Sequence, residues 1–339
     1  MGANKKTILV TGGFGYIGSN TVVSLADNGY RVIIVDDLSN SKLDVMDDIW
    51  ELIGYAPAYR ICDVRNYTEL ARIFKENEIH AVIHFAGKKA VGESLENPLL
   101  YYDVNIGGTL NLLRVMAEHN CFNFVFSSSA IVYGDLNEPP YHEKMIPQAK
   151  NPYGKTKLLI EQILEEMHQS NGNWNIICLR YFNPIGAHES GKLGEKPNGV
   201  PNNLMPYIVG VAKGHYPYVR VFGNDYATYD GTGIRDYIHV SDLAEGHVAA
   251  LKRIMQDTGQ FVTINLGSGK GYSVLELIHT FSRVHRMQIP YRIHDRRPGD
   301  VATSYANISL ANSIVGWFPK RGLETMCSDA WKSEANLKR

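Results

Sequence analysis

The segment from Thr7 to Asp36 constrains the fold more than any other part of the chain. A β-branched run, TILVT, passes without a break into Gly12-Gly13-Phe14-Gly15-Tyr16-Ile17-Gly18 and then into a helical pattern, SNTVVSLADNG, which Gly29 ends as a C-cap. A second strand, RVIIV, follows and stops at Asp36. Gly12, Gly15 and Gly18 make a G-x-x-G-x-x-G loop. Glycine is needed there because the turn is tight, because the backbone must approach a pyrophosphate, and because the last glycine lets helix and strand pack closely. The N–H groups and dipole at the helix start then meet phosphate charge. Asp36 lies eighteen residues beyond Gly18, where a carboxylate can hydrogen-bond both ribose hydroxyls of an adenosine and repel a 2′-phosphate. This order of elements predicts a site for NAD rather than NADP. Two more strand ends agree with it: Asp63 after YRIC can accept from an adenine amino group, and Phe85-Ala86-Gly87 after AVIH lies where a cofactor crosses the switch point of the sheet.

Up to about residue 180, strand-like runs (TILV, VIIV, YRIC, AVIHF, NFVFSS, NIICL) alternate with helix-compatible stretches such as 98–119 and 153–169. That alternation implies right-handed β-α-β units and an α/β fold of Rossmann type, a doubly wound parallel sheet. Beyond 180 the texture changes, because Pro184, Pro197, Pro201, Pro206 and Pro217 and several glycines break the chain into short pieces. Regular structure resumes at VTINLG (262–267) and at VLELIHTF, for which Ser273 is the expected N-cap. The expected domains are therefore an NAD-binding unit over 1–180 and a smaller, loop-rich α/β substrate lobe over 181–339, with room for later segments to return to the first.

Composition removes other classes. With 34 Lys+Arg against 35 Asp+Glu and 44% hydrophobic residues, the chain has neither the charge of a nucleic-acid binder nor the polarity of a disordered one. Cys62, Cys121, Cys178 and Cys327 are far apart, which argues against a disulfide framework and a structural zinc site. No stretch approaches the roughly 18 apolar residues of a membrane span. A cytoplasmic protein without nucleic-acid or membrane partners is expected. No metal site is expected either: the histidines form no H-x-H or H-E-x-x-H, and His239 is read as a packed or hydrogen-bonded side chain.

Tyr153 and Lys157 stand at i and i+4 in NPYGKTK, on one face of a helix. A free tyrosine has a pKa of about 10, and a nearby ammonium favours its phenolate. Ser129 ends the strand NFVFSSS at the sheet edge where α/β proteins bind ligands, and its hydroxyl can hold a substrate hydroxyl. Together the three make an acid/base site for oxidising a secondary alcohol.

These residues, with TGGFGYIG at the N-terminus, resemble the extended short-chain dehydrogenase/reductase family. FAGKKAVGES, SSSAIVYGD, NPYGKTK, LRYFNPIGAH, PNNLMPYI, FGNDY and RDYIHVSDLAEGHV are similar to its UDP-sugar 4-epimerases over nearly the whole chain. The resemblance implies redox-neutral 4-epimerisation of UDP-glucose and UDP-galactose with NAD retained. It implies that Tyr153 takes the proton of the 4-hydroxyl, that Lys157 lowers the tyrosine pKa and holds the nicotinamide ribose, and that Ser129 orients the sugar. It adds Tyr16, Ile17, Asn40, Val64, Lys89, Asn105 and Phe182 to the cofactor side. For UDP it implies Asn183, Asn203 and Leu204 near the diphosphate and uridine, Phe222 by the uracil, Arg235 and Arg297 facing the diphosphate, Asp300 beside them, and Lys89 and Tyr181 as neighbours of the reacting sugar. It also implies a homodimer built on the helices of 98–119 and 153–169.

Two positions depart from the family pattern. Pro298, in RRPGD, stands where many relatives carry glutamate, and Ser304 is small where strict forms are bulky, which leaves room for a 2-acetamido group and hence for UDP-GlcNAc and UDP-GalNAc. Elimination enzymes of the family look like an Asp-Glu pair after the Ser/Thr; here Ala130-Ile131 follows Ser129. The remaining alternatives are a 4-epimerase of UDP-xylose/arabinose or UDP-glucuronate and a non-catalytic NAD-sensing regulator.

Overall fold

The structure is a computed structural model that describes residues 5–335, apart from 197, 198, 257, 258 and 298. Pro197 and Pro298 thus lie outside the described residues. The first six strands are β1 (Thr7–Thr11), β2 (Arg31–Asp36), β3 (Ala58–Ile61), β4 (Ala81–His84), β5 (Asn123–Ser129) and β6 (Asn175–Tyr181). They are followed by β7 (Asn183–Ile185), β8 (Val219–Phe222), β9 (Ile234–Arg235), β10 (Tyr237–His239) and β11 (Phe261–Leu266). Last come β12 (Tyr272–Ser273), β13 (Tyr291–His294) and β14 (Thr303–Ser304). The helices of the first half are α1 (Tyr16–Asp27), α2 (Val45–Ile53), α3 (Tyr67–Glu76), α4 (Val91–Glu96), α5 (Pro98–Tyr101), α6 (Gly108–Glu118) and α7 (Pro152–Ser170). Those of the second are α8 (Leu204–Ala212), α9 (Val240–Ile254), α10 (Val274–His285), α11 (Ser309–Val315) and α12 (Leu323–Ala335).

The central sheet runs β11-β6-β5-β4-β1-β2-β3 with every neighbour parallel. A parallel sheet buried on both faces needs apolar residues at odd and even positions alike, and TILVT and RVIIV supply them. Ile8, Val10, Val32 and Ile34 pack with Val22 and Leu25 of α1 and Leu243 and Leu251 of α9. Leu9, Ile33 and Val35 face the other way, onto Leu70 of α3, Met116 of α6 and Ile160 of α7. Residue 180 does not close this unit: β11 adds the seventh strand and α9 covers α1, both from beyond it. The second lobe has its own core, in which Ile208 of α8, Val219 and Val221 of β8, Leu277 and Phe281 of α10 and Met326 of α12 meet around short strand pairs.

Local signals behave as their chemistry dictates. Gly29, at φ +82, follows the end of α1, and Ser273 caps α10 in a reciprocal box with Glu276. The stretch 98–119, read as helix-compatible, contains a π-helical turn, Tyr102–Gly107, in which Asn105 is buried. The four cysteines are buried and unpaired, and no helix among the described residues is long and apolar enough to cross a membrane.

Candidate active site

The loops expected to be functional in the first half leave the sheet at one edge, the C-terminal ends of β1, β2, β3, β4 and β5, with Tyr153 and Lys157 added from α7. Gly12 has φ +70, and a Cβ there would meet the Ala86 nitrogen at 2.8 Å; at Gly18 a Cβ would stand 2.1 Å from the Gly12 oxygen. Packing of the chain against itself thus demands glycine at both positions. At Gly15 a Cβ would touch only the Gly12 oxygen, at 3.2 Å, so its effect would be to fill the space over the start of α1. That helix start has no side-chain cap and no acidic residue in its first turn. An open cradle at an uncapped helix N-terminus suits a pyrophosphate. The Tyr16 hydroxyl donates to Gly186 of the second lobe at 2.8 Å, and Ile17 packs into the core.

The buried Asp36 accepts from the backbone N–H groups of Phe14 and Leu38, each at 3.0 Å, and from the Ser41 hydroxyl at 2.7 Å, so it ties the glycine loop to the turn after β2 and keeps some acceptor capacity. Asn40 is exposed in that turn. Asp63 is paired with Arg65, whose guanidinium holds its carboxyl below the usual range. Val64 buries its side chain in the core. Gly87, at φ +155, lies against Asn105, whose amide accepts from Lys88 N at 2.7 Å and donates to Lys88 O and to Thr156. Asn105 therefore fixes the loop after β4 to α7, and its amide is occupied within the chain.

Asn151 caps α7 by accepting from Gly154 N at 2.8 Å, with Pro152 in the first turn, and this sets Tyr153 at the helix start and Lys157 one turn on. Burial raises the Tyr153 pKa, and the nearby Ser129 hydroxyl works the other way. Lys157 is buried; its ammonium donates to the Ser127 carbonyl at 2.7 Å and lies 4.9 Å from the Phe126 ring centre. Burial lowers its pKa to about 8, opposed by Glu161. Desolvation is the larger cause at both groups. His84, between Thr11 and Thr109, is held neutral by burial and by Lys157, at about 3.

Behind this set is a polar network that sequence reading missed. Glu161, one turn beyond Lys157, accepts from Ser128 and pairs with Arg180 at 2.6 Å, both side chains being buried. Arg180 lies over the Tyr133 ring, and Tyr133 donates to Asn265 on β11 at 2.6 Å. The available signal was an arginine inside the apolar strand NIICLRY.

In the second half, Tyr181 is buried and its hydroxyl donates to His247 at 2.9 Å. Phe182 is buried against Tyr141. Asn183 is exposed and bonds Asp236 through its backbone. Phe222, Arg235, Arg297, Asp300 and Ser304 do come together: Arg297 stacks on Phe222 at 4.0 Å, Asp300 N–H bonds Arg297 O, Asp300 pairs with Arg235 at 3.5 Å, and Ser304 sits opposite Arg235 where β14 meets β9. Beneath them the unforeseen Asp236 accepts from Ser268 N and Oγ, Gly269 N and Ala306 N; burial raises it to about 6 although these bonds oppose the shift. Leu204 opens α8, and Asn203 and Lys89 both bond Glu195, which no sequence signal marked.

A glycine cradle, an acid at the second strand end and a Ser/Tyr/Lys set from the end of β5 and the start of α7 define a dinucleotide-dependent enzyme of Rossmann type. The chain belongs to the NAD dependent epimerase/dehydratase family, whose model matches residues 8–267. It is 50% identical over 329 residues to a UDP-glucose 4-epimerase of Bacillus subtilis, covering 97% of both chains. It is 48% identical to a bifunctional UDP-glucose 4-epimerase and UDP-xylose 4-epimerase of Pisum sativum, over 99% of this chain and 97% of the other. Its fold superposes with a TM-score of 0.96 on a UDP-glucose-4-epimerase of Stenotrophomonas maltophila, solved with NAD and formylated UDP-arabinopyranose, at 47% identity and 98% coverage of each chain.

Proposed function

We propose that the chain interconverts UDP-glucose and UDP-galactose by inverting carbon 4 through a 4-keto sugar, with NAD retained. The observation that carries this reading is the placement of Ser129 at the end of β5 and of Tyr153 and buried Lys157 at the start of α7, with the Lys157 ammonium held on the Ser127 carbonyl of β5, whose C-terminal end lies on the same sheet edge as the glycine cradle. The names of the full-length relatives support the substrate. Gly12, Gly15 and Gly18 with the N–H groups of Tyr16 and Ile17 would hold the pyrophosphate, and Asp36 the adenosine ribose. NAD bound there supplies the hydride acceptor and donor for carbon 4. Tyr153 removes the proton of the 4-hydroxyl and returns it at the end, while Ser129 donates to the phenolate and aligns the hydroxyl. Lys157 favours the phenolate through its charge. Phe222, Arg235, Arg297 and Asp300 hold UDP while the ring presents its other face, so that binding energy from the nucleotide positions the reacting carbon. Ala130-Ile131 beside Ser129 offers no acid for elimination.

The test is NMR of the purified protein with UDP-galactose and no added NAD: UDP-glucose accumulates to equilibrium without net NADH. No conversion even with NAD supplied would refute the substrate. UDP-xylose belongs in the same assay, because the pea relative is named for both activities. Half-buried Ser304 supports turnover of the 2-acetamido sugars as well, which Ser304→Tyr should abolish while UDP-galactose turnover remains. Val91, Leu95 and Leu99 on α4 and α5 and Leu159 on α7 are exposed apolar side chains that support a homodimer through these helices, and the unpaired thiols support a cytoplasmic location.

A further inference from the structure

Glu195 lies between β7 and α8, and its side chain is 12% exposed. One carboxylate oxygen accepts from the Lys89 ammonium at 3.2 Å and from the Asn203 amide at 2.7 Å. Those two donors come from opposite sides of the cleft: Lys89 follows β4 of the central sheet, and Asn203 precedes α8 of the second lobe. The other oxygen is buried without a hydrogen-bond partner among the described residues, so the carboxylate is anchored by its surroundings rather than swinging in solvent. It lines one cavity with Tyr16 of the glycine loop, whose phenol its charge, adding to burial, helps to raise. Lys89 is 54% exposed and keeps two further N–H groups, and Asn203 keeps its carbonyl oxygen and one N–H.

We propose that Glu195 is a positioning residue for the anionic part of the substrate, holding Lys89 and Asn203 ready from the two lobes before a diphosphate arrives. The inference rests on assigning Lys89 and Asn203 to the UDP-sugar. A free lysine must give up large rotamer entropy on binding, and ordering it beforehand removes that cost from the association step. An ion pair with one exposed partner adds little to fold stability, so the contact is expected to act on affinity.

The experiment compares UDP affinity by titration calorimetry, steady-state turnover of UDP-galactose and Tm in the NAD-containing protein as purified, for wild type, Glu195→Ala, Glu195→Gln, Lys89→Met and the Lys89→Met/Glu195→Ala pair. Glu195→Ala should weaken UDP and raise KM by about tenfold, with kcat held within about threefold and Tm within about 2 °C. Glu195→Gln, which keeps an acceptor oxygen, should recover most of the affinity. In the Lys89→Met background the alanine change should cost less than about threefold, because the partner it orders is gone. Unchanged UDP affinity in Glu195→Ala, full additivity in the pair, or a fall in Tm and kcat without a KM effect would each overturn the proposal. Wild-type UDP affinity in both Lys89→Met and Asn203→Ala would instead remove the substrate assignment itself, and the role of Glu195 with it.

Discussion

The cofactor side and the nucleotide-sugar side of the cleft place their functional groups by different means. On the cofactor side, Gly12, Asp36, Gly87 and Ser129 stand at or just beyond the ends of neighbouring strands of four to seven residues in one parallel sheet, and apolar packing on both faces holds those ends in register. On the other side, Phe222, Arg235 and Ser304 sit on strands of two to four residues, and their positions depend on buried polar groups such as Asp236. A sheet edge tolerates exchange of its loop residues, whereas a site built on hydrogen bonds loses geometry with each one removed.

The largest test of this division is Tyr153→Phe, which should lower kcat by on the order of a thousandfold while the protein keeps its NAD and its UDP affinity. Lost nucleotide would mean that the phenol holds the cofactor site together and would break the division. Gly18→Ala puts a methyl 2.1 Å from the Gly12 oxygen, so α1 must shift; NAD retained per chain should fall by about tenfold or more, read by absorbance after denaturation. Asp236→Asn acts on the other side. Its amide would turn N–H groups toward N–H donors now satisfied, costing about 2 to 4 kcal/mol in denaturant titration and raising KM for UDP-galactose, with NAD content unchanged. The smallest effect is expected at Lys157. Folding lowers its pKa to about 8, so above that value the folded chain releases a proton that the unfolded chain keeps up to about 10.4. Stability assigned to this lysine therefore rises with pH across that window and is lowest below it. Wild-type Tm should gain a few degrees on Lys157→Met between pH 7 and pH 10, and parallel Tm curves would show that burial of the ammonium carries no penalty.

The same division explains what could be read from the chain alone. The strands, the glycine loop, Asp36 and the spacing of Tyr153 and Lys157 are legible because each is a local pattern: an unbroken apolar run in a strand covered on both faces, i to i+4 on a helix, glycine where backbones touch. Glu161 shares the helix face of Lys157, yet a lone acid on a helix looks like a solvated charge until Arg180, nineteen residues on, is brought against it. Asp236 and Ala306 are seventy residues apart, and nothing local announces their bond. Asn105 was named through the family resemblance, but not the π turn that buries it, where it bonds the Lys88 backbone and Thr156, seventeen and fifty-one residues away. The second lobe was accessible mainly through its family resemblance, which named Arg235 and Arg297 but neither Asp236 beside Arg235 nor Glu195 against Lys89 and Asn203.

The return of β11 to the sheet has a consequence for how the protein comes into being. Until residues 261–266 leave the ribosome, β6 is an open edge with unpaired backbone groups, and the Glu161–Arg180 pair beside it lacks the Tyr133–Asn265 link that closes the network. A nascent chain of 180 residues therefore holds the glycine cradle and all three acid/base residues without being a finished unit. Assembly waits on a contact of long sequence separation, which slows folding and lengthens the interval in which a chaperone, or a second unfinished copy, can occupy that edge.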